Sequence, residues 1–388
     1  MNFEWNEDQL LLKKEVSRLC SKFDDNYWLE CDKAHRFPWE FYNAFAEAGW
    51  LGVAIPEKYG GAGLGITEAA IILHAVAESG AGMNGGTTLH LSMFGLNPVV
   101  KHGSEEMKQK YLPSAARGEL HVSFGVTEPD AGTDTTSITT FARKDGDRYI
   151  INGQKVWNSK GKEASKVLLL ARTTPLSDCK KKTDGMTLFL ADLDEKYCTL
   201  REIDKLGRNA VDSNELFIED LPVDESDVVG EVGKGFYHLL DGLNPERILL
   251  SAEFCGLGRV ALKKAINYAN ERVVFNRPIS KNQSIQHPLA ESHAKLEAAE
   301  LLWQRAANKY DNGLPTGPDA NMAKYLAAEA VFEACDRALQ TLGGFGYAKE
   351  FHIERYWREA RLLKIAPVSQ QMVLNYLSEH VLGMPKSY

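Results

Sequence analysis

The spacing of apolar residues changes twice along this chain, and that pattern constrains its fold more than any single motif. From residue 7 to about 120, QLLLKKEVSRLC, WEFYNAFAEAGWLG, ITEAAIILHAVAESG and SEEMKQKYLPSAARG carry apolar residues at helical intervals. From about 121 to 230, alternating or β-branched runs take over in HVSFGVTEP, SITTFARKDGDRYIINGQKVWNS, KVLLLART, GMTLFLADL and NELFIEDLPV. KDGD and NG read as turns between them. From GKGFYHLL onward the helical interval returns, in segments long enough to pack as an antiparallel bundle. The expectation is an α+β multi-domain chain: an N-terminal helical domain over 1–121, a central antiparallel β domain over 122–230 and a C-terminal four-helix bundle over 231–388. Helices, then sheet, then helices place a binding site between layers.

Composition excludes several functions. A net charge of −8 lacks the electrostatic footprint of nucleic-acid binding, and Lys180–Lys182 read as a solvated loop tip. The six cysteines form no C-x-x-C pair, and the ten histidines include no H-E-x-x-H, so no metal site is expected. Sparse cysteine fits a reducing compartment. No apolar run is long enough to cross a bilayer. The acidic, amphipathic opening MNFEWNEDQLLLKKE is unlike a targeting peptide, and with the C-terminal KSY it favours a bacterial cytoplasm over an organelle matrix.

Several stretches carry candidate chemistry. PEKYGGAGLG holds glycines near a helix start, but Ile66 falls where a dinucleotide fingerprint needs glycine or alanine, so it reads as a connecting loop. VWNS places Trp157 and Ser159 two residues apart, hence on one face of a strand, as a ring system with a nearby hydroxyl partner would need. Each can equally be an ordinary core or surface residue. LQTLGGFGY ends a helix with Gly343, Gly344 and Gly346, more glycine than a cap requires. ERVVFNRPISKNQ sets Arg272 and Arg277 beside Phe275, able to pair with phosphate or simply to make surface ion pairs. LNPERILLS poses a choice for Glu246: an acid in the first turn of a helix that begins at Pro245, or a proton-abstracting base.

In order, PEKYGG, TEPDAGTD, NGQKVWNS, ANERVVFNRPISKNQSIQ, QTLGGFGY and ERYWREAR resemble the acyl-CoA dehydrogenase family over essentially the whole chain. The resemblance implies FAD between the β domain and the C-terminal helices, with an acyl-CoA thioester beside it. Phe124, Val126 and Thr127 would line the isoalloxazine, with Trp157 packing nearby and Ser159 keeping a hydroxyl near N5. Arg272, Phe275, Gln283, Gln340, Gly343 and Gly344 match positions that meet the cofactor from a neighbouring subunit, which implies a homo-oligomer, dimer or tetramer. Ser369 and Gln371 match further FAD contacts. Thr133, Asn244 and Arg247 fall at substrate positions. Asn276 replaces the usual glycine of its loop.

The family's reaction is α,β-dehydrogenation of the thioester to the trans-2-enoyl-CoA, with electrons passed to an electron-transfer flavoprotein. It needs a desolvated carboxylate at the α-carbon. In most members this base lies in the segment matching REARLLKIAPVSQQM, where Pro367 occupies the position and no carboxylate follows Glu359. Isovaleryl-type and long-chain members use a glutamate on the helix opening the last domain, and its equivalent is Glu246. Pro367 also removes an N–H that would help bind the thioester oxygen. An acyl-CoA oxidase, an enoyl-CoA reductase and a non-catalytic FAD-binding paralogue are the alternatives on the same fold.

Overall fold

The computed structural model describes residues 4–387; Met1, Asn2, Phe3 and Tyr388, which belong to the opening stretch and the KSY ending read above, lie outside the described residues. The N-terminal helices are α1 (Glu7–Cys20), α2 (Asp25–Ala34), α3 (Trp39–Glu47), α4 (Ile66–Val76), α5 (Gly82–Phe94), α6 (Asn97–His102) and α7 (Glu105–Ala116). Asn6 caps α1 in a reciprocal box with Gln9. Nearly every side chain of α4 is buried, as befits a helix apolar on all sides. Between α4 and α5 the chain turns at Gly80 (φ +107°) and Gly82 (φ +59°), conformations that L side chains rarely adopt. The PEKYGGAGLG stretch is a connecting loop, as expected.

The sheet strands are β1 (Val122–Gly125), β2 (Phe141–Asp145), β3 (Arg148–Ser159), β4 (Lys166–Arg172), β5 (Met186–Asp192), β6 (Cys198–Glu202), β7 (Ser213–Asp224) and β8 (Val228–Val229). Their order is β6-β7-β3-β2-β4-β5-β8, with β1 beside β4. Two sequence expectations need correcting. The domain is largely antiparallel, but β1 pairs with β4 in parallel and β2 touches β4 in parallel at Phe141 and Arg172. The NG dipeptide at Asn152–Gly153 is a bulge within β3, where the register against β7 shifts, and not a turn. An added Cβ at Gly153 would come within 2.4 Å of Thr140, so close packing selects glycine there. KDGD does form the β2–β3 hairpin, with Gly146 at φ +66°.

The last part contains α8 (Gly235–Glu271), a hairpin of β9 (Val273–Val274) and β10 (Arg277–Pro278), then α9 (Gln283–Asp311), α10 (Gly317–Leu342), α11 (Ile353–Leu362) and α12 (Gln370–Tyr376). The 37 residues of α8 span about 55 Å. This corrects the expected helix start at Pro245: the helix begins ten residues earlier, and Pro245 and Glu246 lie in its interior. Proline there cannot donate to the carbonyl four residues back, a cost the surrounding packing must outweigh. One apolar core joins α1–α5 to α8–α11, through Trp28, Phe41, Leu73, Phe254, Trp303 and Val331. Asp311, at the end of α9, accepts hydrogen bonds from the Ile66 and Thr67 amides (2.8 and 3.0 Å), so the C-terminal bundle caps α4.

Candidate active site

The end of β3 is built to hold Trp157 outward. The register against β7 slips between Lys155 and Asn158, and Trp157 sits at φ +66°, uncommon for a bulky side chain. Its indole is 57 % exposed, Asn158 is buried, and Ser159 is half-buried. Trp157 is therefore exposed at this strand end with Ser159 half-buried two residues on, and the bulge breaks the plain alternation from which a shared face was expected. The exit of β1 is tied to the same edge. The Phe124 carbonyl accepts from Asn158 Nδ2 (2.7 Å), and Val156 N–H donates to the Thr127 carbonyl (2.9 Å). Lys155 Nζ donates to the Val126 carbonyl (3.1 Å) and pairs with Glu128 at 2.9 Å. Burial opposes the Glu128 charge, but Lys155 and two threonine amides outweigh it and bring the carboxyl to about 2. Thr133 is exposed on the loop that follows.

Glu246 lies half-buried on α8. Burial raises its pKa, His90 and Arg247 act against that, and Glu253 adds to it. His90, on α5, and Glu253, seven residues along α8 from Glu246, form a buried ion pair at 2.6 Å. Burial works against the imidazolium, yet the Glu253 carboxylate dominates and the His90 pKa is raised. Arg208, in the segment before β7, donates from Nη2 to Ser159 Oγ (3.2 Å); burial lowers its pKa, and the Glu253 carboxylate acts against that. Arg247 donates to Asn244 Oδ1 (3.2 Å), and its Nε is buried without a partner among the described residues. Pro367 is exposed on the loop before α12. Ser369 Oγ caps α12 by accepting from Met372 N–H (3.4 Å), and Gln371 is exposed in its first turn.

A second region gathers the other expected cofactor residues. A groove of about 530 Å³ is lined by Arg272, Gly343, Gly344 and Phe345 among others, with the Arg272 guanidinium 5.7 Å from the Phe345 ring centre. Its lining includes neither Glu246 nor Ser159. The β9–β10 hairpin projects nearby, and its two-residue turn has Phe275 at φ +50° and Asn276 at φ +61°. Asparagine tolerates that conformation, so the loop needs no glycine. Phe275 is 94 % exposed at the tip. Gln283 and Gln340 are exposed at the start of α9 and near the end of α10. Gly343 needs its positive φ of +60°, and a Cβ at Gly343 or Gly344 would meet nothing within 4 Å. Among the described residues, no other part of the chain packs closely on these two glycines. Gly346 is different: it packs on the Leu339 carbonyl.

Family models for the acyl-CoA dehydrogenase N-terminal, middle and C-terminal domains match residues 6–119, 123–221 and 233–382. The chain is 36% identical over 391 residues to acyl-CoA dehydrogenase fadE12 of Mycobacterium bovis, covering 100% of this chain and 99% of that one. It is 36% identical over 353 residues to a 3-(aryl)acrylate reductase of Clostridium sporogenes, covering 89% and 91%. The structure of butyryl-CoA dehydrogenase from Megasphaera elsdenii superposes with a TM-score of 0.93 at 29% identity, covering 98% of this chain and 100% of that one. The chain belongs to the acyl-CoA dehydrogenase family. It is an oxidoreductase, and its cofactor is FAD.

The residues present fit that cofactor. An exposed indole stands on a strand edge beside a hydroxyl, and a groove elsewhere offers a guanidinium and glycines with open space around them. Sequence reading missed His90, Glu253 and Arg208. The seven-residue spacing of Glu246 and Glu253 inside an otherwise apolar helical run was the available signal.

Proposed function

We propose that the protein dehydrogenates an acyl-CoA thioester at Cα–Cβ, with Glu246 removing the α-proton. FAD held at the Trp157–Ser159 strand end would supply the acceptor for the β-hydride. The observation that carries this reading is the half-buried Glu246 carboxylate on α8, on which the buried His90–Glu253 pair acts, while on the sheet side Arg208 bonds Ser159, where a flavin ring would lie. On the sheet side, Phe124, Val126, Thr127, Trp157 and Ser159 would hold the ring. Arg208 can only donate, so Ser159 spends a lone pair on it and keeps its own proton for N5. Arg272, Phe275, Gln283, Gln340, Gly343 and Gly344 would reach the cofactor from a second copy of the chain, with Ser369 and Gln371 as further contacts. That arrangement makes the enzyme a homo-oligomer, dimer or tetramer, with three units at 1–121, 122–230 and 231–388. Arg247, Asn244 and Thr133 would hold the acyl-CoA. Pro367 offers no N–H, so the thioester oxygen needs another donor; Val368, the next residue, makes no backbone hydrogen bond through its N–H among the described residues. Electrons would leave to an electron-transfer flavoprotein, and the bacterial relatives support a cytoplasmic location.

Anaerobic mixing with acyl-CoA thioesters tests the activity: flavin bleaching supports it, and no bleaching with any chain length rejects it. Reoxidation then separates the acceptors. An electron-transfer flavoprotein acting faster than air fits a dehydrogenase, and rapid reoxidation by air fits an oxidase. The Clostridium sporogenes relative gives the reverse reaction its own support, with protonated Glu246 delivering a proton to Cα; reoxidation by an enoyl or acryloyl thioester alone would establish it.

Two further outcomes follow. Glu246 must be ionised to act, and burial raises its pKa. The first-turnover bleaching rate should therefore rise with pH through a midpoint above the ordinary carboxylate range. A flat or falling profile would count against Glu246. Phe275→Ala should lose FAD on dialysis about tenfold faster while its β9–β10 hairpin stays intact, because the exposed ring serves a neighbour and not its own core. Unchanged retention would remove Phe275 from the cofactor site.

A further inference from the structure

Lys160 directly follows Ser159, and two of its features are unfavourable. Its backbone is left-handed (φ +60°), a conformation that glycine or asparagine adopts with less strain. Its side chain is fully buried, and it forms no ion pair among the described residues. Burial pulls its pKa down to about 7, with Glu163 and Asp212 acting against that. Backbone strain and a buried amine without a counter-ion thus coincide beside the flavin-side hydroxyl, and such outliers persist where the surroundings over-determine a functional geometry. What holds Lys160 is α5. Nζ donates to Ser92 Oγ (2.7 Å) and lies 4.5 Å from the Tyr42 ring centre and 5.4 Å from that of Phe37. Tyr42 gives its one proton to the Gly118 carbonyl (3.0 Å), so Ser92 donates to Tyr42 (3.1 Å) and keeps a lone pair for Lys160. The Ser159 carbonyl accepts from Ser123 Oγ (2.8 Å), and the Lys160 N–H donates to the Asp212 carbonyl (3.1 Å), so the peptide between them is fixed at both ends. His90 and Ser92 are two residues apart on α5, about 200° around the helix. One side of α5 therefore bonds Glu253 on α8 (2.6 Å), and the other bonds the residue after Ser159. The helix is a spacer between the element that carries Glu246 and the strand end that carries Ser159.

Resting on Ser159 as the flavin-side hydroxyl, we infer that Lys160 is a positioning residue: by bonding Ser92 it docks the end of β3 on α5 and sets where the Ser159 hydroxyl points. The test needs no acyl-CoA. Midpoint potentials of the FAD-loaded protein are measured by slow reduction against a reference dye, for the unsubstituted chain, Lys160→Met, Ser159→Ala and the double variant. Ser159→Ala should shift the two-electron reduction equilibrium about tenfold, about 30 mV, the size of one well-placed hydrogen bond. Lys160→Met should shift it in the same direction by about fivefold or more, but by less than about twofold in the Ser159→Ala background, because it acts through that hydroxyl. Methionine keeps the side-chain length, and removing a buried charge that lacks a counter-ion should not lower Tm. An unmoved potential in Lys160→Met, with or without a fall in Tm, would make Lys160 a structural tie and overturn the inference. Equal shifts in both Ser159 backgrounds would overturn it too. If Lys160→Met does not fold, Ser92→Ala takes its place in the cycle: it removes only the acceptor, and should shift the equilibrium about threefold with Ser159 present and less than about twofold without it. No shift on Ser159→Ala would remove both Ser159 and Lys160 from the flavin site and leave the role of Glu246 standing. The expected cycle in a protein that no thioester bleaches would reject the dehydrogenase reading and keep the role of Lys160.

Discussion

Glu246→Gln is expected to slow acyl-CoA-driven flavin bleaching by about 10³- to 10⁴-fold, the upper range for loss of a general base. Glutamine keeps the shape of the side chain and its place on α8, so FAD content and subunit assembly should not change. The effect should be large because no other carboxylate serves: Pro367 occupies the family's more common position, and Glu253 is committed to His90. Stopped-flow absorbance under anaerobic conditions reads the rate, and the visible flavin spectrum confirms that the cofactor is retained. Full-speed bleaching by the variant would mean another group takes the proton.

Arg355→Ala should destabilise the fold by about 3–5 kcal/mol, the cost of leaving one member of a buried ion pair uncompensated. Arg355 and Glu359 on α11 are both fully buried and pair at 3.2 Å. Arg355 donates to the Gly80 carbonyl (2.7 Å) and the Ala81 carbonyl (3.2 Å), and Glu359 accepts from Met83 N–H (2.7 Å). These bonds clamp the break between α4 and α5, so the C-terminal bundle sets where α5, and with it His90, begins. Thermal unfolding of the FAD-loaded protein should show the loss as a fall of several degrees in Tm. A shift within about a degree would mean the clamp is dispensable.

The three-layer plan was legible because it rests on periodicity, which each segment carries in its own residues. The same holds for the β2–β3 hairpin, where Gly146 is local chemistry. What escaped depends on distant contacts. The α5 stretch GMNGGTTLHLSMF is rich in glycine and threonine and reads poorly as a helix. Packing against α8 and the clamp from α11 override that preference. Asn152–Gly153 carries a turn signature, yet β7 and Thr140 hold it extended inside a strand. Pro245 looked like a helix start because nothing local shows that the ten residues before it also pack as helix. Glu246 was singled out because Pro367 stands where most members of the family carry the base. The His90–Glu253 pair was not, because His90 comes from α5, far away in sequence.

The most direct test follows the proton. A 3-thia acyl-CoA has sulfur at the β-position and no hydride to give, so only α-proton removal can occur. Because Glu246 is half-buried and not sealed off, a proton it takes can exchange with solvent. Proton NMR of the thioester with catalytic amounts of FAD-loaded protein in D₂O should show the α-signal disappearing with the unsubstituted enzyme and persisting with Glu246→Gln. Loss of that signal at equal rates with both would contradict the assignment of Glu246.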